Sequence, residues 1–297
     1  MERELSILVP VYNEEGNILA LTQEVQQALK NVSVDYELVF VDDGSSDTTW
    51  TQIAKARAIE PRVRGIRHEK NAGQSAALWT GIQSTSAPLI ATLDGDLQND
   101  PADLPKLLAE LKGCDFVCGV RAKRRDNWVR RASSRVARRA RRAVLKVDFC
   151  DTGCAMRVFK RTAVQGIFPF NGLHRFLPVL VHGAGAKAKE VPINHRPRTA
   201  GVSKYGLNNR LWRGIADLFA MAWYQKRRVG PVQCRELAEL QEAAAVRAVP
   251  GVDAAGPTPT IADSRERRTL PRLCSANHSS GADPDKNGSS NLEPSFA

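Results

Sequence analysis

Short apolar runs rich in β-branched residues recur between longer stretches whose apolar positions follow a helical period. Ser6–Val11, Glu37–Val41, Val63–Arg67 and Leu89–Leu93 read as strands, with helices near 15–30, 48–59 and 73–83 between them. Pro101 opens a further helix to about Leu111, Phe116–Val120 reads as another strand, and 154–159 and 188–193 add two more. This βα rhythm predicts an α/β fold: a mostly parallel, Rossmann-like sheet with helices on both faces and ligands beyond the carboxyl ends of the strands.

Two later segments follow a helical period with a different charge. From Arg121 to Lys146 there are 12 Lys/Arg and one acidic residue; Trp128, Ala132, Val136 and Ala140 recur every four positions, and Arg131, Arg135, Arg138 and Arg142 form a second stripe. This predicts a basic amphipathic helix over 121–146. Residues 207–224 form another amphipathic helix, with Leu207, Leu211, Trp212, Ile215, Leu218, Phe219 and Trp223 on its apolar side. Beyond about 230, one helical stretch (235–248) gives way to Pro, Gly, Ser, Asp and Asn. The expected organisation is therefore one folded domain over 1–230 and a polar, disordered tail over 231–297. No repeat of solenoid period is present.

Composition supports this division. The 297 residues are 42% apolar, enough for a sizeable core without covalent staples. The six cysteines show CxxxC pairs but no CxxC and no His at a finger spacing, so neither zinc nor a disulfide framework is expected, and a reduced, cytoplasmic setting fits. The formal charge is +11, yet residues 231–297 hold 7 Lys/Arg against 9 Asp/Glu, so the first 230 carry +13. A basic body suits a polyanionic partner: nucleic acid, anionic lipid or a phosphorylated substrate. Nothing near the N-terminus reads as a signal peptide, and no stretch approaches the roughly 20 apolar residues of a bilayer span.

The sharpest chemical feature is Leu93-Asp94-Gly95-Asp96-Leu97-Gln98, at the end of a buried strand. Two carboxylates at i and i+2 around a glycine can present oxygens to one hard cation, Mg²⁺ or Mn²⁺, and to the phosphates it bridges; the plainer reading is an acidic turn capping a helix. Val41-Asp42-Asp43-Gly44-Ser45-Ser46-Asp47 and Pro10-Val11-Tyr12-Asn13-Glu14-Glu15 end two other strands on the same sheet edge. Carboxylates there can accept hydrogen bonds from a base or ribose, and Tyr12 can pack on a base, while Ser45, Ser46 and Asp47 also suit ordinary helix N-caps. A G-x-G-x-x-G after the first strand and a P-loop are both missing, which removes the main support for dinucleotide and P-loop readings.

Taken in order, PVYNEEGN (10–17), VDDGSSD (41–47), NAGQSAAL (71–78), LDGDLQNDP (93–101), DTGCAMRVFKR (151–161), HRFLP (174–178) and EVPINHRPRTAGVSKYG (190–206) closely resemble the family 2 glycosyltransferases of the GT-A fold. The likeness is to the branch of dolichyl-phosphate mannosyltransferases and bacterial polyprenyl-phosphate glycosyltransferases, and it covers roughly residues 4–225. The resemblance implies that Pro10, Tyr12, Glu14 and Asp42 hold the nucleotide, and that Asp94, Asp96 and Gln98 bind the metal and donor diphosphate. It also implies that Arg121, Arg130 and Ser134 approach the acceptor phosphate, and that His195, Arg196, Arg198, Ser203 and Lys204 lie in a loop closing over the donor. Asp96, Arg121 and Arg130 are the residues expected to carry catalysis. Arg138 departs from the Asn that many members of this branch have at that position.

The implied reaction is inverting transfer of a hexosyl group from GDP-mannose or a UDP-hexose to a dolichyl or undecaprenyl phosphate. A phosphate acceptor is already anionic near neutral pH and needs no dedicated base; alignment of the two phosphates and stabilisation of the leaving diphosphate supply the rate. His174 is divided evenly between a packing and a functional role. Many relatives continue into transmembrane helices after the position of Trp223, whereas this chain gives a polar tail and resembles a short form. Such a protein would reach its lipid from the cytoplasmic face, through the 121–146 and 207–224 segments, with or without a membrane partner protein. Two other readings are weighed. A soluble saccharide or protein acceptor would need an Asp or Glu base, and none stands outside the metal and nucleotide loops. A nucleic-acid-binding protein would account for the Arg-rich helix but not for the three acidic loops.

Overall fold

In the computed structural model, the described residues are 3–121, 139, 142–196 and 207–228, with side chains described from 216 onward in the last of these. Seven strands form one sheet: β1 (Leu5–Val11), β2 (Tyr36–Asp42), β3 (Val63–Arg67), β4 (Leu89–Thr92), β5 (Phe116–Arg121), β6 (Arg157–Lys160) and β7 (Ala188–Ile193). Their order is β3-β2-β1-β4-β6-β5-β7. β1 lies parallel to β2 and β4, β2 to β3, and β5 to β7, while β6 runs antiparallel between β4 and β5. The sheet is thus mostly parallel, as expected, with one reversed strand.

The helices are α1 (Ile18–Leu29), α2 (Thr49–Ile59), α3 (Gln74–Gln83), α4 (Leu104–Glu110), α5 (Leu173–Gly183) and α6 (Leu207–Arg227). Strand alternation assigns them to faces. Ile7, Val9 and Val11 of β1 pack with Ile18, Leu21 and Val25 of α1, Ile53 of α2 and Leu104 and Leu107 of α4. Leu8, Val39 and Val41 point the other way, into a core with Leu78 and Ile82 of α3, Leu173, Phe176 and Leu177 of α5 and Met221 of α6. β1 and β2 are buried on both faces, which is why they read as continuous apolar runs.

Three expectations shift. The strand expected over 154–159 begins only at Arg157, which pairs with Thr92, the last residue of β4. The helix after Pro101 starts as a short 3₁₀ turn, Pro101–Asp103, capped by the Asp100 carboxylate accepting from the Ala102 N–H. Cys114, Cys118 and Cys154 are buried free thiols, and Cys150 is disulfide-bonded, where the spacing of the cysteines gave no pairing. The basic helix expected over 121–146 lies mostly outside the described residues; those it includes show helix at 139 and 142–145, whereas Arg121 ends β5 and Lys146 is not helical, which corrects both bounds. The tail 231–297 lies wholly outside them.

Gly44 takes φ +71°, and a Cβ there would lie 2.8 Å from the backbone N of Asn71. Left-handed backbone and backbone contact both exclude a side chain, so Gly44→Ala should destabilise the fold by about 2 kcal/mol or more in urea unfolding at pH 7. A change below half that value would show that the loop yields freely.

Candidate active site

The carboxyl ends of β1, β2 and β4 bring three acidic loops together. The first two are laced to each other: Asn13 N–H donates to Ser45 Oγ (2.9 Å), Ser46 N–H to Asn13 Oδ1 (2.8 Å), Glu14 N–H to Thr49 Oγ1 (2.8 Å) and Thr48 N–H to Glu15 (2.9 Å). Asp47 Oδ1 accepts from the Thr49 N–H (2.9 Å), although the N-cap residue of α2 is Thr48 and not one of the three residues expected to cap it. Asp42 is fully buried; it accepts from the Ser45 N–H (2.9 Å) and pairs with Arg67 Nε at 3.2 Å. Asp43 holds the β3–α3 loop, accepting from the Ala72 and Gly73 N–H groups (2.9 and 2.7 Å) and from His68 Nδ1 (2.7 Å). Glu14 accepts from the Asn17 amide at 2.7 Å. Much of the acidic sequence on this edge therefore fixes loop shape. Pro10 and Tyr12 are half-buried at the mouth of β1.

The third loop carries Asp94 and Asp96. Gly95 is required by close approach: a Cβ there would lie 2.6 Å from the Val11 side chain, so the loop presses directly on the end of β1. Gln74, at the start of α3, donates to Asp94 Oδ1 (2.9 Å), and Asp96 Oδ1 accepts from the Gln98 N–H (3.2 Å). Burial, with the neighbouring Asp96 charge, pushes the Asp94 pKa up to about 6, although Arg157 and Arg121 pull it down. A carboxylate whose charge is opposed by burial and by a neighbouring carboxylate suits a divalent cation, and Asp94 and Asp96 fit that role as two oxygen donors. Among the described residues no group of three or more His, Cys, Asp or Glu could hold a metal, so the remaining ligands would come from elsewhere, Gln98, a diphosphate or water.

The sequence model for glycosyl transferase family 2 matches residues 6–168, which contain all three loops. The chain belongs to glycosyl transferase family 2. The family 2 chain is 34% identical to the dodecaprenyl-phosphate galacturonate synthase of Rhizobium johnstonii over 234 residues, 77% of this chain and 69% of that protein. It is 34% identical to the undecaprenyl-phosphate 4-deoxy-4-formamido-L-arabinose transferase of Aeromonas hydrophila and 36% to that of Shewanella sediminis. The matches cover 68% and 69% of this chain but only 63% and 62% of those two proteins. Among solved structures, glucosyl-3-phosphoglycerate synthase of Mycobacterium tuberculosis, in complex with Mn²⁺, UDP-glucose and phosphoglyceric acid, superposes with a TM-score of 0.57 at 18% identity, over 80% of this chain and 85% of that one. A mannosyltransferase of Pyrobaculum calidifontis in complex with GDP-mannose and Mn²⁺ gives 0.52 at 18% identity, over 78% and 66%. At that identity these likenesses show the fold, a GT-A-like α/β arrangement.

Around the acidic loops, the family 2 chain places cations that sequence reasoning had only in part. Arg121, ending β5, is paired with Asp151 through two hydrogen bonds of 2.6 and 2.8 Å. Burial works against the Arg121 charge, but Asp151 outweighs it and raises the pKa. Arg157 of β6 is 2% exposed and donates to the carbonyls of Thr152 (3.0 Å) and His174 (2.7 Å). Gln74, Asp151 and Arg157 were not singled out individually, although each lies in a motif carrying the family likeness.

The segment 194–196 crosses the acidic loop. Asn99 and His195 form a bridge, Arg196 N–H donates to Gln98 O (2.9 Å), and Asn194 N–H to Asp103 (2.7 Å). The Arg196 side chain is engaged by Glu24 (2.8 Å) and Asp100 (2.7 Å), so it anchors this segment to α1 and to the loop after β4. Arg130, Ser134, Arg198, Ser203 and Lys204 lie outside the described residues.

His174, left open by the sequence, takes a defined state. Ser75 Oγ accepts the Gly172 N–H (3.0 Å) and shares a 2.7 Å hydrogen bond with His174 Nδ1. Burial, with Arg175 and Arg157 nearby, lowers the His174 pKa from 6.5 to about 4. The unfolded chain then takes up a proton near pH 6.5 that the fold refuses until about pH 4, so stability is lost as pH falls across that window. Replacing His174 with Gln should reduce the loss of unfolding free energy between pH 7 and 4.5 by about 2 kcal/mol. Parallel acid limbs in urea titrations of the two proteins would assign the proton uptake elsewhere.

Proposed function

We propose that this family 2 glycosyltransferase moves a hexosyl group from a nucleotide sugar, GDP-mannose or a UDP-hexose, to a polyprenyl phosphate, with inversion and with Mg²⁺ or Mn²⁺. The observation that carries this reading is the likeness at 34–36% identity to enzymes named for transfer to dodecaprenyl and undecaprenyl phosphate. The site agrees with it: Arg121 lies near enough to Asp94 to lower its pKa, so a cation for the acceptor stands beside the carboxylates for the donor diphosphate.

In this mechanism Asp94 and Asp96 hold the cation and orient the diphosphate, and the loops after β1 and β2 hold the nucleoside. A bound Mg²⁺ or Mn²⁺ would supply charge neutralisation for the leaving diphosphate. Arg121 binds the acceptor phosphate and holds its oxygen in line with the anomeric carbon, with Arg130 and Ser134 assisting. The phosphate is anionic near neutral pH, so no side chain has to remove a proton. A hydroxyl acceptor is disfavoured by the same geometry: Asp151, the carboxylate beside Arg121, has both oxygens bonded to the guanidinium and is a poor base.

Contact with the lipid is assigned to a peripheral mode at the cytoplasmic face. Among the described residues no helix is long and apolar enough to cross a membrane. On α6, Phe219 and Trp223 are 63% and 65% exposed one turn apart, ahead of Lys226 and Arg227, while Met221 is buried on the inner side. Exposed aromatics followed by cations suit the interface of an anionic bilayer.

The test is release of nucleotide diphosphate from a panel of nucleotide sugars, with Mg²⁺ or Mn²⁺ and a short polyprenyl phosphate in detergent. Release should require the lipid phosphate, and Asp96→Asn should lower kcat/KM by about 100-fold or more. Equal turnover by Asp96→Asn would remove the acidic loop from the mechanism.

A further inference from the structure

Arg121 ends β5, where four side-chain torsions would leave an exposed guanidinium free to wander. It does not wander, because Asp151 takes its Nε–H and one N–H of Nη2, at 2.6 and 2.8 Å. Asp151 is itself held. The Asp151 N–H and the Cys150 N–H donate to the Glu190 carboxylate of β7 (3.2 Å, and 2.8 and 3.0 Å), and Asp151 Oδ1 also accepts the Gly153 N–H at 3.2 Å. The Arg121 side chain is 18% exposed and that of Asp151 is 9% exposed. A guanidinium has five N–H groups in one plane. With the Nε edge occupied, the two N–H groups of Nη1 and the second of Nη2 remain, and they form the end-on fork that matches two oxygens of a phosphate.

We propose that Asp151 is a positioning residue for acceptor recognition: by clamping one edge of Arg121, it aims the opposite edge at the phosphate of the acceptor. Glu190 is the outer member of the same device, fixing the 150–151 backbone from the neighbouring strand. The inference rests on the reading of Arg121 as the acceptor-phosphate contact. It makes Asp151 neither a base nor a metal ligand.

The experiment compares wild type, Asp151→Asn, Arg121→Lys and the double variant, using farnesyl phosphate as acceptor and, separately, inorganic phosphate binding by calorimetry. Asp151→Asn should raise the KM for farnesyl phosphate by about tenfold, the scale of one charge-assisted hydrogen bond, and leave nucleotide-diphosphate affinity within about twofold. On the Arg121→Lys background the same change should add little, because Asp151 acts through the guanidinium. An unchanged acceptor KM, or a full additional loss on that background, overturns the proposal. Should Asp151→Asn fail to fold, Glu190→Gln replaces it, with a smaller rise in KM expected and no rise counting against the proposal. If the wild type does not turn over farnesyl phosphate, the functional reading falls by itself. Weaker binding of inorganic phosphate in the variant would then keep the positioning role, and equal binding would overturn it.

Discussion

Two carboxylates one residue apart at the mouth of a buried strand, Asp94 half-buried and Asp96 buried, repel each other. The fold answers with positive charge from the neighbouring strands: Arg157 of β6 and Arg121 of β5 both pull the Asp94 pKa down against burial and Asp96. Those arginines need partners of their own. Arg157 finds the carbonyls of Thr152 and His174, and Arg121 finds Asp151. Through these bonds the charge at Asp94 is tied to the loop 151–154, the start of α5 and the end of β5. The reversed strand β6 has a purpose in this frame, since its antiparallel pairing sets Arg157 opposite Thr92, two residues before Asp94.

A second consequence concerns the division of labour among acidic residues. Asp43, Asp47 and Glu15 are used to shape loops, accepting backbone N–H groups from neighbouring segments. Asp94 accepts from the Gln74 side chain and carries the electrostatic strain, its pKa raised by burial and by the Asp96 charge. Loops fixed by the first group bring Asp94 and Asp96 to a defined position against Val11, with Gly95 as the point of contact. Preorganisation of this kind lets a site favour charge that develops in a reaction without reorganising to meet it.

The buried strands β1, β2 and β5 were legible because each is a nearly unbroken apolar run, and β3 was read to the residue from its place between two helices. Helix α5 was not read. Its sequence follows Pro169 and Gly172 and contains Pro178, all of which signal a turn, and only tertiary packing of Leu173, Phe176, Leu177 and Leu180 overrides that. The reversal of β6 was hidden as well, since a strand of four residues carries no signal of direction. In the site, the motif at 93–98 was visible from its spacing, whereas the pairing of Arg121 with Asp151 across 30 positions has no local signature. Arg196 shows the limit of a motif from the other side: its place in a recognisable run gave no hint of its bonds to Glu24 and Asp100.

The central claim is that the nucleophile is the phosphate of a lipid, and the direct measurement is transfer of radiolabelled sugar into an organic phase with matched acceptors. Polyprenyl phosphate and the corresponding polyprenol, equal in chain and differing only in the phosphate, would be compared in the same detergent and metal. The account predicts label in the lipid fraction with the phosphate and none with the alcohol. Equal labelling of the alcohol, or label that stays in the aqueous phase on a saccharide, would contradict it.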